Sequence, residues 1–399
     1  MIRLVVIAIT SFLSLFSAAQ FEEEIDNKEI YGGAYTISKN AAGQYGVTSR
    51  KGEIKVPFVY SRIIENDLGL FVFKINKSNG FERSYSLGYY DHQFKMVLPC
   101  QYNSLLSLED GLIIGSQNLD KKFGLVDTLG RIIIPFEYDE MFAPTESLFL
   151  TKLNGKYGYI SKKNNVIIDH EFTFAAPFSE GFAAASKSNL IGFIDRKGNF
   201  EIEQKFTSAD EFHFGYAQVF FHNQTSLVDQ TGKILFPFIF RSIEAVGNNQ
   251  FVFEANESLR ANIERNLPKL QIAQKMEELS MYDTLITGMD SEIDSEPLEE
   301  RFMGVMDLTG KLIGGNGFQQ VIPLFSVGTN QLYAVQKKSD SEDDSSSNYL
   351  FALMDETGKL LSEYRFFEVK ADEKIVVEET EKGFIDYRVD ANGKLVKIQ

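Results

Sequence analysis

Apolar and polar positions alternate along this chain in a pattern that keeps returning. The segment Phe123-Gly-Leu-Val-Asp-Thr-Leu-Gly-Arg-Ile-Ile-Ile-Pro-Phe-Glu-Tyr138 reads aromatic, Gly, two apolar residues, Asp, two free positions, Gly, then an apolar run closing on an aromatic. Copies begin at Tyr45-Gly46, Leu87-Gly88, Phe123-Gly124, Tyr157-Gly158 and Ile191-Gly192. Weaker copies begin at Ser226-Leu227, Met303-Gly304 and Phe351-Ala352, and a degenerate one ends at Asp390 to Gly393. Gly124, Gly158, Gly192 and Ser226 are each 34 residues apart. A fixed period of this length is the mark of a repeat architecture.

Each copy predicts strands. Phe123 to Val126 and Tyr157 to Ile160 are aromatic, β-branched or aliphatic, residue types suited to a half-buried pleated surface. The Asp-x-x-Gly that follows (Asp127/Gly130, Asp195/Gly198, Asp229/Gly232, Asp307/Gly310, Asp355/Gly358, Asp390/Gly393) fits a type I turn. Its Asp carboxylate caps backbone N–H groups, and its Gly supplies the positive φ that closes the hairpin with a bulge. The next run, such as Ile132 to Ile134, is the return strand, with Pro at its end where a ladder donor is dispensable. A further strand lies in Gly69 to Phe73, Gly181 to Ala185, Tyr216 to Phe220 and Gln250 to Phe253. The fold class is therefore all-β, a tandem array of about nine three-stranded units forming a curved or superhelical sheet. Propeller-like closure is the alternative, although 34 residues is short for a blade of about 40 to 45.

These units resemble the WG (or KWG) repeats of bacterial proteins. That consensus runs aromatic, Trp-Gly, apolar, Asp, two residues, Gly, Lys, an apolar run, Pro and an aromatic, with a connecting Phe-Ser-Glu-Gly, here Phe178-Ser179-Glu180-Gly181. The resemblance covers nearly all of residues 30–399. The namesake Trp is absent, replaced by Tyr45, Leu87, Phe123, Tyr157, Ile191 and Met303. The resemblance implies a β-rich scaffold commonly without catalysis of its own, and it transfers no functional residues.

Insertions fall in one connection of the unit. Leu148 to Gly158 and Phe182 to Gly192 take 10 residues, whereas Phe71 to Gly88 takes 17, Tyr333 to Ala352 takes 19 and Phe251 to Gly304 takes 53. Equivalent loops of a stacked array project from one edge, which is expected to be the binding face. The largest insertion, residues 255–300, predicts two helices: Asn256 serves as N-cap ahead of Leu259 and Ile263, and Pro268 opens a second helix with Ile272, Met276 and Leu279 on one stripe. That apolar face packs back on the array or docks a protein. Leu259, Ile263, Ile272, Met276 and Leu279 are the candidate partner-binding residues. Asp290 to Glu300 and Ser339 to Ser347 are acidic tracts.

Composition narrows the function. Residues 1–19 carry Arg3, an apolar run from Leu4 to Phe16 and then Ser17-Ala18-Ala19, the form of a cleavable signal peptide. About 13 apolar residues fall short of the roughly 20 needed to span a bilayer, so no spanning segment is expected after cleavage. The array then occupies 20–254 and resumes over 301–399. A net charge of −16 opposes nucleic-acid binding. The single Cys100 takes the slot that Phe58, Phe136 and Phe238 take after proline, so a packing role is expected. No metal-ligand spacing joins His92, His170, His213 and His222, and no nucleophile elbow or phosphate loop occurs. Neither a catalytic, a metal nor a cofactor site is therefore expected. Residues present in every unit must serve folding and stacking, which leaves binding to the singular ones. The expectation is an exported, non-enzymatic scaffold, periplasmic, on the cell surface or extracellular, that binds a protein at the insertion edge. An exported glycan-binding module is the alternative, and a hydrolase the third reading.

Overall fold

A computed structural model describes residues 27–76, 84–117, 121–221, 224–256, 301–325, 331–338, 349–380, 383–390 and 392–398. Residues 1–19 and 257–300 lie outside them, so the signal peptide and the helices expected in the insertion do too. Strands and no helices occur among the described residues, and no helix there is long and apolar enough to cross a membrane. They divide into two compact units, one running to Ser188 with Ile194–Asn199, the other comprising Asn189–Phe193 and Phe200 onward.

The repeat is an antiparallel meander, seen most plainly in Glu140–Met141, Leu148–Leu153, Lys156–Ser161 and Val166–Phe172, paired in that order. Three of these strands match the sequence expectation. The fourth is the two-residue Glu140–Met141, too short to leave a hydropathy pattern. Units follow one another without linkers. Met96–Leu108 even serves as the last strand of one unit and the first of the next. Each sheet is an open run with two edges.

The repeating turns have the expected chemistry. At Asp127 the Oδ1 oxygen accepts from the N–H groups of Leu129 and Arg131 at 2.9 and 2.8 Å, and Gly130 sits at φ +79°. Asp195, Asp229, Asp307, Asp355 and Asp390 each accept the same two bonds. Asp91 does so too, but with Phe94 rather than Gly at φ 60°, its ring held 4.6 Å from that of Tyr35. Ser49 and Ser161 fill the same slot with hydroxyls. Burial would push the carboxyls of Asp127, Asp195 and Asp355 up, but their hydrogen-bond donors, N–H groups at Asp127 and Asp195 and first the Thr357 hydroxyl at Asp355, outweigh it and hold them below the usual carboxylate range.

The proline expected to end the return strand lies inside it. Phe123 pairs with Tyr138 and Leu125 with Ile134, so Pro135, Phe136 and Glu137 arch over the single residue Gly124. The same three-over-one arch crosses Gly46, Gly88 and Gly158. Proline is admissible there because the arch has left the ladder. A Cβ on Gly46, Gly88 or Gly124 would stand 2.8 Å from the carbonyl oxygen of Val56, Leu98 or Ile134, and on Gly158 2.7 Å from that of Ile168. At Gly192 the approach of the Ile202 carbonyl is closer still. The glycines are thus required by close approach, not by φ.

Three units lack this glycine, at Ser226, Ala352 and Tyr387, and the first two depart together. At Ser226 the return segment is reduced to isolated bridges, Val228 to Ile234 and Thr225 to Phe240, and at Ala352 to the bridge Met354 to Leu360 and the single pair Phe351 to Phe366. The Ser226 hydroxyl donates to the Phe236 carbonyl, the counterpart of the oxygen that a Cβ would strike elsewhere.

Stacking faces follow from the arch. Two residues before the turn stand Val47, Tyr89, Leu125, Tyr159, Phe193, Leu227, Val305 and Leu353, all buried. Seven residues after it stand Val56, Leu98, Ile134, Ile168, Ile202 and Phe236, again buried. These pack onto the following unit: Leu125, Ile134 and Tyr138 share a core with Met141, Phe149 and Ile160. In the ninth unit the two positions are Arg388 and Lys397, both exposed.

Replacing the Asp195 carboxylate should separate capping from charge. Asp195→Ala should cost about 1 kcal/mol near neutral pH. Asp195→Asn should keep most of the capping, because Asn40 already caps Ala42 and Gln44 through Oδ1. A carboxyl held low in the folded state stabilises above its unfolded value of about 3.9, and that contribution disappears as pH falls through the folded value. Urea denaturation at several pH values should therefore show wild type and Asp195→Asn converging in acid.

Candidate functional site

The meander places its connections on two edges. Turns between strands one and two and between strands three and four share one edge. The hairpin between strands two and three, and the passage to the next unit, share the other. All three long insertions leave from the second edge, at the tip of the same hairpin. Strand pairing runs right up to each: Asn76 opposite Ser84, Asn256 opposite Arg301, and Lys338 opposite Tyr349. Where nothing is inserted, Leu153 and Lys156 are joined by Asn154-Gly155 alone, both at positive φ.

The largest insertion begins later than its composition suggests. Ala255 and Asn256 belong to the strand Gln250–Asn256, so Asn256 is a ladder residue, and the helix expected after it lies outside the described residues. A strand holds them because Ala255 is fully buried in a core with Phe240, Phe253 and Phe302. Leu259, Ile263, Ile272, Met276 and Leu279 lie outside the described residues, so the structure does not bring them together.

A residue that the sequence analysis passed over stands at the stem. After the closing aromatic of each return segment comes a position that latches onto the hairpin. Ser61, Asp139, Thr173 and Thr207 donate their N–H to the carbonyls of Phe73, Lys152, Ser186 and Phe220. Ser61, Thr173 and Thr207 add a hydroxyl to the same carbonyls. The Asp139 carboxylate instead takes Lys122 and the N–H of Gly155, with Lys122 first among the causes that keep it below the usual carboxylate range. In the unit bearing the 257–300 insertion this position is Arg241. Its N–H donates to the Glu254 carbonyl at 2.9 Å, its Nη1 to Asn256 Oδ1 at 3.0 Å, and its Nε lies 3.8 Å from the Glu254 carboxylate. A cation in a slot that elsewhere holds Ser61, Asn103, Asp139, Thr173, Thr207, Gln319 and Phe367 was the available signal.

The groups considered for chemistry have structural surroundings. Cys100 is half-buried against Gly88, and burial pushes its thiol up. His170 Nε2 meets the Thr151 hydroxyl at 2.9 Å and its ring stacks on Tyr138, with burial pushing its value down. His213 Nε2 lies 3.0 Å from Glu211, and His92 Nε2 lies 3.1 Å from the Asp67 carbonyl. His222 is outside the described residues. Among those described, no three His, Cys, Asp or Glu side chains gather as a metal set.

Fold and site together define a tandem β-repeat protein with hairpins extended at one edge. Its residues 88–118, 123–157, 157–190 and 191–223 match the WG containing repeat family. No curated protein matches it. Among solved structures it is similar to Kluyveromyces lactis Hsv2 at 9% identity, over 73% of this chain and 95% of that one, with a TM-score of 0.30. A streptogramin B lyase is similar at 14% identity, over 52% of this chain and 80% of that one, with a TM-score of 0.26. Likeness at that level has no bearing on what this chain binds.

Arg241→Thr restores the residue type of Thr173 and Thr207, and should leave the core intact while loosening the stem. Loss of a charge-assisted bond worth about 1.5–3 kcal/mol predicts amide exchange at least about tenfold faster at the end of Gln250–Asn256, with Leu148–Leu153 unchanged.

Proposed function

We propose that this protein is an exported, non-enzymatic repeat scaffold that binds a protein through its insertion-bearing edge. One observation carries the proposal: three insertions enter at one hairpin of the repeat while the ladder beside each stays intact. Chain added at such a point costs the array little, because ends held at hydrogen-bonding distance close a long loop for only a slowly growing entropy. The sequence of residues 1–19 supports export. The glycan-binding alternative finds less support, because recurrent rings such as Tyr89, Tyr159, Phe172 and Phe206 are buried and offer sugars no repeated platform.

The pairing of Asn256 with Arg301 permits a clean test. Replacing 257–300 by Asn-Gly reproduces the turn between Leu153 and Lys156 and should preserve thermal stability. Affinity capture with the full chain is expected to recover protein partners that the closed-hairpin variant loses, with no signal on a glycan array. Sugar binding that survives the deletion, or identical partners on both proteins, would overturn the proposal.

A further inference from the structure

In the ninth unit the insertion edge carries an exposed pair of aromatic rings. Phe366 pairs with Glu378 and Glu368 with Val377, so Phe367 is the extra residue of a bulge, which turns its side chain out of the ladder. Asn103 stands on the same bulge in the third unit and donates its amide to the Gln117 carbonyl at 3.2 Å. Phe367 has no polar group to donate and is 50% exposed. Phe384 pairs with Glu379 beside the hairpin end at Thr380 and Gly383, and is 63% exposed. Their ring centroids lie 6.0 Å apart with the planes at 41°. Two phenylalanines that meet with half or more of each in water are explained by neither stacking nor the ladder.

Charge beside the pair is one-sided. Glu368, which follows Phe367, is exposed and makes no ion pair among the described residues. The cations closest in sequence to Phe367 are engaged, Lys370 with Asp386 at 3.5 Å and Arg365 with Glu378 at 3.8 Å. Residues 339–399 hold fifteen acidic against eight basic side chains, close to half of the chain's net charge of −16. The fold itself shows what its aromatic rings attract. A lysine at the hairpin stands over a ring at Lys39 and Tyr45, 5.1 Å, at Lys152 and Tyr157, 4.8 Å, and at Lys187 and Phe172, 5.0 Å. Phe367 and Phe384 have no such cation among the described residues.

We infer that the Phe367–Phe384 pair docks a lysine or arginine side chain from a basic segment of a partner protein. The inference rests on the reading of this edge as the protein-binding one and names the chemistry of the partner. A ring attracts a cation within about 6 Å of its centroid, and centroids 6.0 Å apart let one cation face both. Glu368 supplies the opposite charge at the rim, and no free cation among the described residues stands beside it to compete. A second copy of this chain, with the same net charge, is repelled.

Phe367→Thr gives the residue of Thr173 and Thr207, and Phe384→Thr keeps a strand former, so both single variants and the double variant should fold with unchanged thermal stability. Phage-displayed random peptides panned on the full chain should enrich sequences rich in Lys or Arg. Synthetic versions should bind each single variant more weakly and the double variant at least about tenfold more weakly. Phe367→Tyr keeps the ring face and should bind as wild type does, whereas Glu368→Gln should bind more weakly and with less salt dependence. The closed-hairpin variant keeps both rings and should bind the peptides fully. Enrichment of uncharged apolar peptides, a glycan whose binding the double variant loses, or peptide affinity kept within about twofold in the double variant would overturn the inference. Protein partners lost by the closed-hairpin variant would, in that event, leave the edge itself standing.

Discussion

The repeat depends on one close approach. Three residues of the return strand arch over a single residue of the strand before it, and only a residue without a side chain leaves room for the arch. The shift lets Ile134 and Tyr138, and their counterparts at 34-residue steps, pair with Leu125 and Phe123 and still face the next unit's core. Ser226 and Ala352 behave as that constraint requires, and in the ninth unit, where the slot holds Tyr387, the ladder to Lys397 runs on with no arch. Ser226 converts the collision into a hydrogen bond, Ala352 has no such bond, and both lose the continuous strand. Magnitudes agree with the direction. Gly→Ala relieves unfolded-chain entropy by about 0.4–1 kcal/mol, less than the roughly 1–3 kcal/mol of forcing a methyl into a filled space.

From the arch comes a nearest-neighbour architecture. Each core is shared between consecutive units, as with Val47, Val56, Ile63 and Val72, or Leu353, Phe366, Val376 and Val389. No unit buries its own face alone, so stability is a sum over adjacent contacts. The ties across the turn edge, Lys162 with Asp110 and Arg196 with Glu146, are exposed and worth about 0–1 kcal/mol each.

Much of this was legible in the sequence, because repetition multiplies weak signals. The Asp-x-x-Gly turns, the three longer strands and the insertion point all follow from spacing. The first strand was not legible, since Glu140–Met141 and Phe174–Ala175 are too short for a period. The arch was hidden because proline reads as the end of a strand when it marks a bulge within one. Turns at Ser49 and Ser161 escaped because a hydroxyl replaced the carboxylate. Arg241 and Phe367 become visible only when units are compared slot by slot, since each is unremarkable alone and anomalous in its column. The start of the insertion was misplaced by two residues because Ala255 and Asn256 have no strand propensity, and burial against Phe302 overrides that.

Common residues hold the array together, and the departures from the pattern are where we propose that it meets other molecules. The foundation of that division is the glycine beneath the arch. Hydrogen exchange on Gly192→Ala tests it most directly. The arch predicts lost amide protection across Phe200–Phe206 and a stability loss of about 1–3 kcal/mol, against about 1 kcal/mol for Gly181→Ala, which has open space and only its φ of +85° to strain. Unchanged protection and stability in Gly192→Ala would contradict the account.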